Sequence, residues 1–334
     1  MKKIEKNRGQ TPILLSWGLT PIFAACLAAA ALVAGAQEFP KGQVRLIVPF
    51  TPGGPTDTIA RLMSQKLQDL WSHPVLVDYK PGAGTVVGVD HVAKSAPDGH
   101  TIGIVVSSYT INPVLRRQMP YDTLKDLSGV TMLTSFAIAI VAHPGTPFDD
   151  VKGLVESAKR NPGKLSYATP GVGGTTHLAA ELLNSIAGID MLHVPYKGSA
   201  PAQTDVIGGR VPLMMDPLFS AMPFVRAGRL KVIAVTTAKR VPGFDQFPAI
   251  AETYPGFDVS AYLGLVVPSA TPRTIVRKIQ ADCARALAAP DLRSRIQELG
   301  NVPVGSTPEQ FDAFIAADMK KWAKVIREAN IPLE

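Results

Sequence analysis

VRLIVPFTPGGPTDTIARLMSQKL, running from Val44 to Leu67, changes secondary structure completely within one short stretch. Val44 to Phe50 is largely apolar and rich in β-branched residues, as a buried strand is. Thr51-Pro-Gly-Gly-Pro-Thr then ends it, because two prolines and two glycines do not continue a strand. Asp57 follows in an N-cap position, and Ile59, Leu62, Met63 and Leu67 recur at helical spacing. Strand, glycine turn and capped helix make half a βαβ unit. Such a turn points backbone N–H groups outward at the positive end of a helix, which suits an anion. The expected guest is a carboxylate. A plain connecting loop fits the same residues, and no Gly-Lys-Ser/Thr follows to make a phosphate loop.

Working outward, the pattern recurs. Leu165 to Thr169 reads as a strand, Pro170-Gly-Val-Gly-Gly-Thr-Thr176 as a glycine turn, and His177 to Ala187 as a helix. If the two units face one another across a cleft, two helix N-termini converge on one guest. Between them lie strands at Pro74–Tyr79 and Thr101–Val106, and a helix around Val86 to Lys94. Pro81-Gly-Ala-Gly84 looks like a dinucleotide fingerprint but has one residue too many before Gly88. Ser107-Ser108-Tyr109 either places hydroxyls beyond the third strand, near the Thr51–Asp57 turn, or caps a short helix starting near Asn112-Pro113. Gly129 to Ala142 reads as two strands leading toward a second domain, and a helix follows over Asp149 to Arg160. Further strands are expected at Met191–Tyr196, Val211–Met215, Leu230–Thr236 and Tyr262–Val267, with a helix over Gly198–Ile207. Three helices close the chain, over Pro272–Ala288, Asp291–Leu299 and Pro308–Ala329. The alternation predicts mixed sheets covered by helices on both faces.

The first 36 residues read as an export signal. Lys2, Lys3, Lys6 and Arg8 precede an apolar stretch from Ile13 to Val33, and Ala34-Gly-Ala36 supplies a cleavage site. Cys26 offers a lipoprotein alternative, weakened by Phe23 standing three residues before it. Removing the leader's net +3 from the formal +7 leaves +4, with no basic block to suggest nucleic acid. Cys283 is then the only cysteine, sits in a helical pattern and reads as a buried apolar residue.

The histidines are scattered without metal spacing, and no Gly-x-Ser-x-Gly elbow nominates a nucleophile. Neither a cofactor nor a metal is expected. His177 either contacts a ligand or caps and packs. Asp57 and Arg61 stand four apart on a helix and can pair, a contribution of about 0.2–0.5 kcal/mol.

The segments VRLIVPFTPGGPTD, KPGAG, APDG, PGKLSYATPGVGGTTHLAAE, HVPYKGSAPAQTDVIGG and KWAKVIREANI, in this order, resemble the Bug family. Its members are periplasmic receptors of tripartite tricarboxylate transporters. The resemblance implies an α/β two-domain periplasmic-binding-protein (Venus-flytrap) fold, with domain 1 over 37–137 and 261–334 and domain 2 over 138–260. It implies a monomer that holds a small carboxylate between two loops and hands it to membrane permease subunits. Carried over by position, the first loop gives Phe50, Thr51, Gly53, Gly54, Pro55 and Asp57. The second gives Thr169, Gly171, Gly173, Thr175, Thr176 and His177, and Ser107 and Asp216 match positions near the cleft. Thr51, Pro55 and Tyr262 depart from the family's usual residues, so the identity of the guest does not carry over. A secreted enzyme acting on a small acid, or a receptor feeding a membrane kinase, are the alternatives.

Overall fold

The computed structural model describes residues 39–196, 198–329 and 331–333. The expected signal sequence and Cys26 lie outside them. From Pro40 onward the chain is one compact unit, within which backbone hydrogen bonding forms two sheets.

In the first sheet, β1 (Val44–Val48) is buried except at Arg45. Parallel neighbours β2 (Val75–Tyr79) and β3 (Thr101–Val106) flank it, so both edges and both faces are covered. This is why the run, Arg45 apart, is apolar rather than alternating. Helix α1 (Pro55–Trp71) returns over the sheet with Ile59, Ala60, Met63 and Leu67 buried. Trp71 closes it by donating from Nε1 to Asp282 Oδ2 at 2.6 Å. Helices α2 (Val86–Ala93) and α3 (Ser108–Leu115) follow β2 and β3. The helix expected near Asn112 thus starts at Ser108 and carries Pro113 inside it.

The sheets are joined by one strand. β4 (Leu127–Ala142) is a single run of 16 residues, not the two strands expected. Leu127–Ala137 pairs antiparallel with β9 (Ser260–Pro268), which also pairs with β3. From Ile138 onward the same strand pairs with β7 (Leu213–Pro217) and β8 (Lys231–Val235). Parallel strands β5 (Ser166–Thr169) and β6 (Leu192–Pro195) extend the second sheet beyond β7. Ile138, Ile140 and Ala142 pack into one apolar cluster, Ala137, Ala139 and Val141 into another. With side chains alternating across a strand, a core therefore lies on each face. The helices of this half are α4 (Val151–Arg160), α5 (Thr175–Ala187), α6 (Ser199–Ile207) and α7 (Leu218–Arg226). α7 was not among the expected helices.

Helices α8 (Arg273–Ala288) and α9 (Pro290–Glu298), a two-residue strand β10 (Val302–Pro303) on β4, and α10 (Pro308–Glu328) complete the chain. Cys283 is buried in α8 as expected. Thr307 and Gln310 form a capping box on α10. Its Phe311 and Ile315 pack with Ile47, Val105 and Tyr262 of the first sheet. Trp322, Val325 and Ile326 pack with Tyr167 and Leu178 of the second. One helix thus contributes to both cores.

The two glycine turns are built alike. Gly54 and Gly174 are the N-caps of α1 and α5. In each helix the third residue reaches back to the glycine before the cap. Gly53 N donates to Asp57 Oδ2 at 2.8 Å, and Gly173 N to His177 Nδ1 at 3.1 Å. Asp57 is therefore not the N-cap; Pro55, favoured at a first helical position, starts the helix earlier. Tyr79 Oη and Arg61 Nε also donate to Asp57, at 2.7 and 3.0 Å. Burial raises its pKa, but these bonds outweigh burial and hold it below the ordinary carboxylate value.

The second turn rests on stacked imidazoles. His177 lies on His193 with ring centroids 3.9 Å apart, and His193 lies on Tyr167 at 5.0 Å. Thr169 Oγ1 donates its one proton to Gly171 O at 2.8 Å, so it accepts from His193 Nε2 at 2.7 Å. Burial lowers the pKa of both histidines to about 4, with His177 adding to the effect on His193.

Two outcomes follow from this packing. Gly264 on β9 faces Phe311, and a Cβ there would stand 2.2 Å from the ring. Gly264→Ala should lower the unfolding free energy by about 1–3 kcal/mol in a denaturant titration. The histidines bind protons more readily when unfolded, near 6.5, than when folded, near 4. Their contribution is therefore complete above pH 6.5 and is lost as pH falls from 6.5 toward 4. Unfolding free energies measured at pH 7.5 and pH 5 should show that loss, and a His177→Gln/His193→Gln variant should flatten it.

Candidate functional site

A cavity of about 470 Å³ lies between the sheets, within the size range of small-molecule pockets. Phe50 and Thr56 line it from the first glycine turn, and Val172, Gly173, Gly174 and Thr175 from the second. The first turns of α1 and α5 therefore open on the same space. A helix leaves its leading N–H groups without intrahelical partners. Gly53 N–H and Gly173 N–H are already taken by Asp57 and His177, so the groups left for a guest are those at and after each cap.

The rest of the wall is largely apolar. Phe136 and Phe219 meet edge to face with centroids 5.5 Å apart, and Tyr262 and Leu115 add to the same wall. Tyr262 is fixed from behind by edge contacts with Phe311 and Phe314, at 5.9 and 5.1 Å. Ser107 Oγ accepts from Tyr262 N at 3.3 Å, which leaves its own proton to donate. Among the described lining residues, Arg116 is the only one with a formal charge.

A third turn, residues 82–85, also reaches the cavity. Gly84 and Thr85 line it, and Ala83 and Thr85 have φ of +45 and +83. A β-branched residue at positive φ is strained by about 1–3 kcal/mol and persists only where its surroundings fix it. Here Thr85 Oγ1 shares a 2.8 Å hydrogen bond with Ser108 Oγ, and Asn112 Nδ2 donates to Gly84 O at 2.8 Å.

Of the residues expected at a site, Phe50, Ser107, Gly173 and Thr175 line this cavity. Thr51, Gly53 and Gly54 belong to the turn carrying Phe50 and Thr56 but stand outside the lining. Pro55 is the first residue of α1, and Asp57 is buried behind the turn. Thr169 and Gly171 hold the second turn to itself, and Thr176 continues α5. His177 faces a different hollow, with Glu181, His193 and Ile331 to Leu333. Asp216 stands outside the lining, beside Pro217, which belongs to it. It is fully buried and accepts from Ser199 Oγ at 2.5 Å and Gln203 Nε2 at 2.7 Å. Burial pushes its pKa up to about 6, against the pull of those bonds.

Gly84, Thr85, Asn112, Arg116, Phe136 and Phe219 were not anticipated. The turn after β2 carried a signal in its two glycines; the aromatic walls carried none. The lining offers hydroxyls, amides and one guanidinium, with no carboxylate or imidazole among its described residues. A hydroxyl there has no side-chain base to activate it. No group of three or more metal-ligating side chains occurs among the described residues.

Known proteins share this sequence and architecture. The family model described as tripartite tricarboxylate transporter family receptor matches residues 59–331. BugT of Bordetella pertussis is 34% identical over 316 residues, covering 94% of this chain and 97% of its own. The structure of R. palustris Rpa4515 with adipate is 32% identical with a TM-score of 0.76, covering 88% of this chain and 99% of that one. MatC (Rpa3494) from Rhodopseudomonas palustris with bound malate is 30% identical with a TM-score of 0.71, covering 86% and 100%. The chain belongs to the tripartite tricarboxylate transporter family receptors, the Bug-type periplasmic solute-binding proteins with a two-domain fold.

Proposed function

We propose that this protein captures a small organic carboxylate between its two glycine turns and delivers it to the permease subunits of a tripartite transporter. One observation carries the reading: the first turns of α1 and α5 line a single cavity. Their N–H groups supply partial positive charge, and the aromatic wall suits an apolar body behind the carboxylate. The adipate and malate held by the two relatives are acids of this kind.

The proposed lobes are 37–137 with 261–334, and 138–260, on a monomer exported to the periplasm. The chain passes between the sheets after Ala137, where β4 changes partners, and again between β8 and β9. Two crossings side by side make a hinge, and rotation about it would bring the turns onto the guest. Two or three charge-assisted hydrogen bonds of about 1.5–3 kcal/mol each are offset in part by ordering and desolvation. The remainder fits a dissociation constant near micromolar, about −8 kcal/mol. Turnover is not proposed, because the described lining residues include no carboxylate or imidazole to act as a base.

A thermal-shift screen of mono-, di- and tricarboxylates tests the reading directly. An acid at about a hundred times its dissociation constant should add about 2.7 kcal/mol; no shift with any acid would refute it. Gly53 has φ +96 with open space beyond its Cα, so Gly53→Val strains the turn without a clash. That variant should fold and lose at least about tenfold in affinity by calorimetry, a difference of about 1.4 kcal/mol. Asp57→Ala strips the turn of its acceptor and should cost about 1–3 kcal/mol of stability together with affinity. A loss of stability alone would confine Asp57 to the fold.

A further inference from the structure

We infer that the hollow behind the second glycine turn, lined by His177, Glu181 and His193, is a second binding site that takes a small neutral primary amide. The inference is independent of the carboxylate reading. The hollow has a volume of about 430 Å³ and an apolar wall that includes Leu115 and Val172. Both of these residues also line the central cavity, so the two spaces share one partition.

Hydrogen bonding fixes the proton on the His177 ring. Its Nδ1 accepts from Gly173 N at 3.1 Å, so the neutral imidazole carries its proton on Nε2. Burial keeps the ring neutral well below pH 7. That Nε2–H makes no hydrogen bond among the described residues, although His177 is only 6% exposed. Glu181 Oε1 stands 3.8 Å from it, too far for a hydrogen bond. Glu181 is itself held in place, with Tyr167 Oη donating to Oε1 and Asn184 Nδ2 to Oε2 at 3.3 Å. Each carboxylate oxygen retains a further lone pair. The hollow therefore sets an unused donor beside an acceptor with capacity to spare, and a donor buried without a partner is destabilising.

This pair of groups selects its guest. A carboxylate would be repelled by Glu181. An ammonium has no lone pair for the Nε2 proton, and an apolar group would leave that proton unpaired. A primary amide carries an acceptor oxygen and a donor nitrogen about 2.3 Å apart by standard bond lengths, with one N–H on the oxygen's side. Laid against atoms 3.8 Å apart, it accepts from His177 and donates to Glu181 through two nearly parallel bonds. A hydroxyl would have to make both bonds through one atom at a sharp angle, which weakens them. Because His177 also holds Gly173, a guest that accepts from Nε2 makes Nδ1 the stronger acceptor for the turn.

The probe is benzamide, titrated into isotopically labelled protein while the imidazole nitrogens are followed by NMR. The His177 Nε2 signal, identified by its loss in H177Q, should move saturably. N-Methylbenzamide is trans, with its methyl group on the oxygen's side in place of the N–H. It and benzyl alcohol should each bind about tenfold or more weakly than benzamide. E181L removes the acceptor and should weaken benzamide about tenfold or more, whereas E181Q keeps an acceptor oxygen and should stay within about threefold. Melting curves show whether each variant is folded, and the two analogues on wild-type protein keep the test open should E181L not fold. No saturable movement of His177 up to the solubility limit of benzamide overturns the inference. So does equal affinity for either analogue, or benzamide affinity unchanged in folded E181L. Each of these results leaves the carboxylate reading untouched.

Discussion

The bond from a glycine N–H to the third residue of the following helix organises the cleft. It occurs twice, Gly53 to Asp57 and Gly173 to His177, on two sheets that share β4. Each bond folds the turn back onto its helix and takes up that glycine's N–H. The N–H groups that remain are those of the first helical turn, already aligned with the helix dipole. A flexible glycine loop would have to be ordered by its guest, and that ordering would be subtracted from affinity. Here the acceptors Asp57 and His177 have ordered it beforehand.

Both acceptors are anchored well beyond their own helices. Asp57 is tied to Tyr79 at the end of β2, and His177 is stacked on His193 of β6, whose Nε2 is tied to Thr169. Each turn is therefore locked to the strand next to the one it leaves. A parallel βαβ arrangement places those strands side by side, which makes the lock available in both halves. The shared strand β4 and the long helix α10 then bind the halves together. α10 puts Phe311 in one core and Trp322 in the other.

How much of this was legible in the sequence followed from how local each signal was. The strand–turn–helix units around Val44 and Leu165 were readable because turn residues and helical periodicity are adjacent in the chain. The start of α1 was misplaced because Asp57 has cap chemistry, yet Pro55 fixes the helix two residues earlier. Asp216 shows how one residue decides exposure. β7 alternates faces, so Met214 and Asp216 turn toward α6 while Pro217 turns to the cavity. The unbroken β4 was hidden because a strand buried on both faces shows no alternation. Phe136 and Phe219 face each other only through long-range packing, and Arg116 follows an ordinary helix. No local pattern announces residues of that sort.

The two turns are alike in backbone and unlike in charge, and the difference has a direction. Asp57 is held ionised by Gly53, Tyr79 and Arg61, so a negative charge already sits in the first turn of α1, where it opposes a second anion. Arg61, 3.0 Å away, neutralises much of that field but is largely exposed. In α5 the equivalent residue is His177, which burial keeps neutral at any pH near 7. The N-terminus of α5 therefore meets an anion without a resident competitor. It also supplies four lining residues, Val172 to Thr175, where the first turn supplies Phe50 and Thr56. On electrostatic grounds the second turn is the stronger anion contact and the first the lighter one. On the proposed reading, a carboxylate would therefore be held mainly from the α5 side.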